Sequence, residues 1–381
     1  MKDAMGTFAE ERKVQSAKCK VQSGSRHRFA FCILHFAFCI FFLVCDIPLV
    51  LAADAWPFTA LRRETYRVIP GFFRVGVPVP AWDSRDSLTL ASGMRLWQLR
   101  AFEAGGEGYA LCVDVETLRT FVVREDDLWR GTTEEKERGP FAGSPFLPLS
   151  DSGDGGQGTS PYERALERYA YVPMTGKEQE GVVMTVDLCP SHRRWDRDLF
   201  EALREMRTED RPLPVAVCIS GAWVRRHGPA FAQLCAWDRE GELDLTFVNH
   251  SDTHPVGARG DFLNNEGVDF EGEILNAEVT LLAHGVVPSP FFRFPGLVHS
   301  AARLKALMQY GLIPVDADEW PGQGDIPTDR VPEGILLVHG NGNERAGVRW
   351  FLEMARQTGL RERLRDGQLK VFSLTDYAGE E

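Results

Sequence analysis

The sequence predicts an α/β protein: a parallel (β/α) barrel over residues 176–381, preceded by a smaller β-rich N-terminal domain. Three observations lead there. After Glu180, short apolar runs alternate with helix-length amphipathic segments, the texture of a parallel sheet joined by crossover helices. The chemistry-bearing side chains of this half fall where the apolar runs stop, and in parallel barrels active residues gather at the C-terminal strand edge. Before residue 176 the alternation is absent. Short β-like runs separated by Pro-Gly and Gly-Gly turns take its place.

Taken in order, the chain opens on a segment unlike the rest. Arg26 and Arg28 supply positive charge, 29–44 is apolar apart from His35, and a second apolar run, 47–53, leads into Ala53-Asp54-Ala55. Basic flank, apolar stretch and a small-residue cleavage pattern predict an export signal or membrane anchor over 1–55, and a secreted, periplasmic or cell-envelope location. Leu43-Val44-Cys45 lacks the small residue expected before a lipidated cysteine. Lys13-Val14-Gln15-Ser16 recurs as Lys20-Val21-Gln22-Ser23, and Phe29-Ala30-Phe31-Cys32-Ile33 as Phe36-Ala37-Phe38-Cys39-Ile40. Such duplication fits an over-long start, with the true signal beginning later.

Residues 56–175 read as a β-rich accessory region and linker. The expected strands are 66–69, 72–77, 94–99, 109–115 and 120–123. The stretch 131–161, rich in Gly, Ser, Pro and acidic residues, reads as a long loop. A short helix is expected over 160–171. No chemistry is legible in this half.

The barrel half gives expected strands at 182–186, 215–219, 243–248, 291–294, 313–315, 334–338 and 369–372. Expected helices lie at 197–206, 230–238, 271–284, 301–310 and 350–365.

Composition narrows the function. Across 381 residues the net charge is −12, and no Lys/Arg run interleaves with aromatics, so a nucleic-acid surface is not expected. A 44% hydrophobic content suits one large or two moderate domains with real cores. Four of eight cysteines (Cys19, Cys32, Cys39, Cys45) crowd the first 45 residues, while Cys112, Cys189, Cys218 and Cys235 are scattered with no C-x-x-C. That argues against a zinc ribbon and for buried thiols.

The candidate site is a series of strand ends. The run 243–248 stops at Asn249-His250-Ser251-Asp252-Thr253-His254, two imidazoles four residues apart that can point at one cation. At this composition a chance H-x-x-x-H is expected in roughly one chain in five, so the pair gains its weight from its company. The run 182–186 ends in Asp187, followed by Leu188-Cys189-Pro190-Ser191; 291–294 carries Arg293 into Pro295-Gly296; 313–315 leads to Asp316, Asp318, Glu319 and Trp320; 334–338 ends in His339-Gly340. Asp and His at one barrel mouth supply a base, an acid and metal ligands. Arg293 suits a bidentate grip on a carboxylate, and Trp320 the wall of an apolar slot.

The order and wording of these motifs resemble the polysaccharide deacetylase (NodB-homology, carbohydrate esterase type) family. Thr185-Val186-Asp187-Leu188-Cys189-Pro190-Ser191 is similar to its T-F-D-D-G-P-S. His250-Ser251-Asp252-Thr253-His254 fits H-[ST]-x-x-H, Arg293-Phe294-Pro295-Gly296 resembles the R-x-P turn, Asp318-Glu319-Trp320 an acidic-Trp segment, and Leu336-Leu337-Val338-His339 L-x-x-H. The resemblance spans about 180–375. It implies a deformed (β/α) barrel and a secreted hydrolase that removes N-acetyl or O-acetyl groups from an acetylated polysaccharide or peptidoglycan. It also implies Asp187 as base, His339 as acid, Arg293 orienting Asp187, His250 and His254 on a divalent metal, zinc by preference, and Trp320, Asp318 and Pro295 at the substrate. A membrane would be met only through the N-terminal anchor.

One departure bears on the metal. The family's second Asp, its third ligand, is Leu188 here, which has no lone pair to give. Asp252, Asp318 or His299 could replace it, or Asp187 could ligate. Otherwise the chain is a metal-independent amidohydrolase on a small amide, or an inactive carbohydrate-binding homologue.

Overall fold

The computed structural model describes residues 56–131, 181–208 and 211–379. The expected signal, the 131–161 loop beyond Gly131, the 160–171 helix and the first four cysteines lie outside them. Residues from Asp54 onward form one compact unit.

The first sheet is antiparallel. Its strands are β1 (Arg67–Arg74), β2 (Val79–Trp82), β3 (Ser87–Leu90), β4 (Arg95–Ala104), β5 (Glu107–Asp114) and β6 (Thr120–Arg124), in the order β1-β4-β5-β6-β2-β3. The two expected strands at 66–69 and 72–77 are one strand with a bulge between Val68 and Gly71. β2 and β3 have no counterpart in the sequence reading, because four residues with one Pro carry too little period-2 signal. Side chains alternate across this sheet. Leu96, Ala110, Cys112, Phe121 and Val123 pack on one side, and Trp97, Leu111, Val113 and Val122 join a core shared with the second sheet.

The second sheet is parallel: β7 (Gly181–Leu188), β8 (Leu213–Ile219), β9 (Leu243–Asn249), β10 (Phe291–Phe292), β11 (Ile313–Pro314), β12 (Gly334–His339) and β13 (Lys370–Val371). The order is β11-β10-β9-β8-β7-β12, with β13 also on β7. After β11, Glu319 bridges in parallel to Leu336 of β12, so the sheet curls back toward its far edge. This is the deformed parallel barrel expected. Helices Arg197–Glu205, Gly228–Arg239, Phe270–Ala283, Ala301–Met308 and Arg345–Thr358 connect it. The last expected helix is two, because Gly359 adopts the left-handed conformation (φ 60°) that caps one before Leu360–Arg365 begins. A short helix, Gly221–Arg226, is additional. Ser220 caps it by accepting from the Trp223 N–H.

A period of two decides what faces where. Val182, Met184, Val186 and Leu188 enter the apolar layer under the outer helices with Phe200, Phe231 and Phe351. Val183, Thr185 and Asp187 face the other way. β8 and β9 repeat the rule: Val215, Val217 and Ile219 enter that outer layer and Ala216 and Cys218 do not, while Phe247 enters it and Val248 does not.

The two sheets are joined by a buried ion pair. Arg100 on β4 donates through Nε and Nη2 to Glu278 of helix Phe270–Ala283, both at 2.8 Å, and both side chains are excluded from solvent. Tyr66 Oη donates to the same carboxylate at 3.0 Å.

Candidate active site

The inward-facing positions at the ends of β7, β9, β10 and β12 bring together Asp187, Cys189, His250, His254, Arg293 and His339. Asp187 Oδ1 accepts from Arg293 Nη1 at 2.7 Å with both side chains buried. The same Nη1 reaches Thr185 Oγ1, one inward position earlier on β7, at 2.7 Å. Nη2 donates to the Asp316 carbonyl at 2.8 Å. The grip on Asp187 is therefore single rather than bidentate, since the second nitrogen is committed to backbone. Burial pushes the Asp187 carboxyl up, but the charge and hydrogen bond of Arg293 hold it below the usual carboxylate range.

The two histidines sit on a strained turn. Ser251 and His254 both have positive φ, 63° and 52°, which costs a non-glycine residue about 1–3 kcal/mol each. Local hydrogen bonds hold them there: Asn249 Oδ1 accepts from the Ser251 N–H at 3.0 Å, and Ser251 Oγ from the His254 N–H at 3.1 Å. The rings lie 4.8 Å apart, centroid to centroid. His250 Nδ1 lies 2.9 Å from the Arg293 carbonyl, so that nitrogen carries the proton. Nε2 then turns its lone pair toward Asp187 Oδ2 at 3.6 Å and Cys189 Sγ at 3.5 Å. Burial favours the neutral ring in both cases, and in His254, reinforced by His250, it lowers the pKa to about 3.

At the far side His339 is oriented by a residue the motifs did not reveal. Its Nδ1 is 2.6 Å from Glu344 Oε2, and Trp320 Nε1 donates to the same oxygen at 2.9 Å. The Trp320 ring lies 5.1 Å from the imidazole. Burial raises the Glu344 carboxyl, but the hydrogen bonds from His339 and Trp320 outweigh it and hold it low. Glu344 follows Gly340-Asn341-Gly342-Asn343, a loop with no spacing rule to flag it.

The remaining expected residues have local contacts of their own. The Asp318 carboxylate accepts from the Ile335 N–H at 2.7 Å, bracing the start of β12. Pro295 is buried and opens the turn Pro295–Leu297 that follows Arg293. Of the three proposed replacements for the missing ligand, Asp252 is paired with Arg225 at 2.6 Å and His299 stands 3.7 Å from Asp316. Leu188 points into the outer apolar layer, away from the pocket.

The donors left in the pocket suit a divalent cation. The ligand atoms of Cys189, His250 and His254 all lie within 4.8 Å of one another, as do those of Asp187, Cys189 and His339. Neutral imidazoles, a sulfur and a carboxylate match zinc better than magnesium or calcium. The carbonyl that fixes the His250 ring is the outer partner ligating imidazoles usually have.

No family model matches the chain. Among solved structures, it is similar to a family 4 carbohydrate esterase from Streptomyces lividans in complex with acetate, at 20% identity over 53% of this chain and 96% of that one, with a TM-score of 0.38. The Bc1960 peptidoglycan N-acetylglucosamine deacetylase aligns at 18% identity over 56% and 94%, TM-score 0.41. A family 4 pseudoenzyme from Bacillus anthracis aligns at 14% over 53% and 66%, TM-score 0.37.

Proposed function

We propose that this chain is a polysaccharide deacetylase-like hydrolase that removes N-acetyl, or O-acetyl, groups from an acetylated amino-sugar polymer of the cell envelope. The observation that carries the reading is the convergence of an ionised carboxylate, Asp187, with the free nitrogen of His250 at 3.6 Å, opposite an imidazole already oriented by Glu344. The five motifs in family order support it from the sequence side, and the basic-then-apolar stretch at 26–53 supports export. In this reading residues 176–381 are the catalytic barrel and 56–175 an accessory β-rich region braced on it through Arg100 and Glu278.

Asp187 acts as general base, taking the proton of the attacking water. Its charge survives burial because Arg293 compensates it. His339 acts as general acid. Glu344 holds Nδ1, which leaves Nε2 to pass a proton to the departing amine, a poor leaving group as an anion. General acid–base catalysis of this kind contributes about 10²–10⁴-fold per group. His250 and His254 would hold a divalent cation, which when bound supplies Lewis-acid polarisation of the carbonyl and of water. Trp320, packed beside His339, would border the acetyl group.

A second reading, an inactive glycan-binding homologue, draws on Leu188, whose side chain lies in the apolar layer where the family motif has a ligand. Acetate release from acetylated glucosamine polymers, peptidoglycan and acetylated xylan, with and without a chelator, decides between them. Chelator-sensitive release is expected. Binding without release from any of them would overturn the hydrolase reading.

A further inference from the structure

We propose that Cys189 is a thiolate ligand of the cation held by His250 and His254, making the centre a Cys-His-His set in place of a carboxylate one. This rests on the hydrolase reading only for the pocket the two share.

Strand geometry places the sulfur. Asp187 faces the pocket, Leu188 the apolar layer behind, and the next residue returns to the pocket side. Cys189 Sγ accordingly lies 3.5 Å from the free nitrogen of His250. Asn341 pins the Cys189 backbone, its Nδ2 donating to the carbonyl at 3.2 Å, and Pro190 follows at once. Among the described residues, Cys189 belongs to both clusters of ligand atoms and is the member that completes a triad with the two histidines. Asp187 shares a cluster with Cys189 and His339 but not with His254. The Asp187 carboxylate is also held by a direct hydrogen bond from Arg293 at 2.7 Å, whereas the Cys189 sulfur faces the free nitrogen of His250. Asp252 and Asp318, the nearby carboxylates, are committed to Arg225 and to a backbone N–H. One sulfur with two imidazole nitrogens is a zinc-type donor set, and three protein ligands leave a position open for a reactant. Ligation balances simply: the thiol proton leaves to solvent as the sulfur–metal bond forms, with no oxidant involved.

Cobalt(II) is the probe, because thiolate ligation produces an intense near-ultraviolet charge-transfer band that nitrogen and oxygen ligands do not. The full-length chain, stripped of metal, is titrated with cobalt(II) beside Cys189→Ser, Cys189→Asp and Cys235→Ser, with folding checked by circular dichroism. The expected result is one equivalent bound with the band present in the parent and in Cys235→Ser. Cys189→Ser should bind at least about tenfold more weakly and lack the band. Cys189→Asp should regain affinity without it, which a merely unfolded variant could not do. Cobalt bound by the parent without the band, a band that persists in Cys189→Ser, or no binding at all would overturn the inference. So would alkylation of Cys189 at the same rate with and without zinc, the behaviour of a thiol nucleophile paired with His250. The band without acetate release would instead retain the inference and sink the hydrolase reading, and release without the band would do the reverse.

Discussion

Asp187 and Arg293 meet at 2.7 Å across the ends of two strands, with neither side chain open to solvent. Arg293 thus does two jobs with one guanidinium. It keeps the Asp187 carboxylate ionised, and through Asp316 O and Thr185 Oγ1 it ties the strand ends together.

Asp187→Asn separates those jobs. The amide oxygen still accepts from Arg293 while the proton acceptor is gone, so acetate release should fall by about 10²–10⁴-fold with the fold retained. Steady-state kinetics beside circular dichroism measure this, and full activity in the variant would remove Asp187 from the mechanism.

Arg293→Ala leaves the buried Asp187 charge without its main partner. Stripping one member from a buried pair costs about 3–5 kcal/mol. The chemical-denaturation midpoint should drop accordingly, and a change within error would mean that the pocket solvates Asp187 by other means.

The barrel, its strand order of chemistry and the residues Asp187, His250, His254, Arg293 and His339 were legible in the sequence for one physical reason. Parallel strands buried on both faces read as apolar runs, and the site falls where each run stops. Glu344 was not legible, because its contact with His339 is set by how a Gly-Asn-Gly-Asn loop folds rather than by a period. Nor was the position of the Cys189 sulfur beside His250. A cysteine is bland by composition, and only the alternation of side chains past Asp187 aims it inward. Asp318 is legible as part of the acidic-Trp segment Asp318-Glu319-Trp320 at a strand end. The bond its carboxylate accepts from the Ile335 N–H is not, because it joins residues 17 apart in the chain.

The ion pair between the sheets should behave as a unit. Glu278→Leu removes the carboxylate that compensates the charge of a fully buried Arg100 and should cost about 3–5 kcal/mol, whereas Arg100→Met with Glu278→Leu should recover most of that. Denaturant titration of the two single variants and the double variant gives the coupling. Additive losses would contradict the buried-pair account.

Glu344 makes stability depend on pH with a definite sign. Its folded-state carboxyl is held low, so at intermediate acidity the folded chain keeps it charged while the unfolded chain has taken up a proton. The unfolded state then binds more protons, and stability rises with pH across that window. The contribution is complete above the ordinary Glu pKa of about 4.3 and is lost as pH falls through the folded value. Glu344→Gln lacks this contribution, so the gap in denaturation midpoint between parent and variant should close on acidification. A gap independent of pH would contradict the assignment.

Gly322 offers a test of the His339–Glu344 contact that touches neither residue. A Cβ at position 322 would collide with the Glu344 carboxylate, and the atoms in its way are the far end of a flexible side chain rather than backbone. Gly322 is not among the glycines with positive φ, so alanine fits the backbone itself and can stabilise the chain by about 0.4–1 kcal/mol through the unfolded state. Gly322→Ala should therefore leave the chain folded while swinging Glu344 off His339 Nδ1, the unfolded-state gain offsetting part of the stability that the lost Glu344 contacts supplied. Loss of an orienting partner of this kind costs about 10–100-fold where it has been measured at metal-site imidazoles. A similar fall in acetate release is expected for Gly322→Ala and for Glu344→Gln, and the two together should be little worse than either. Strictly multiplicative losses would show that Gly322 acts on the site by some route other than Glu344.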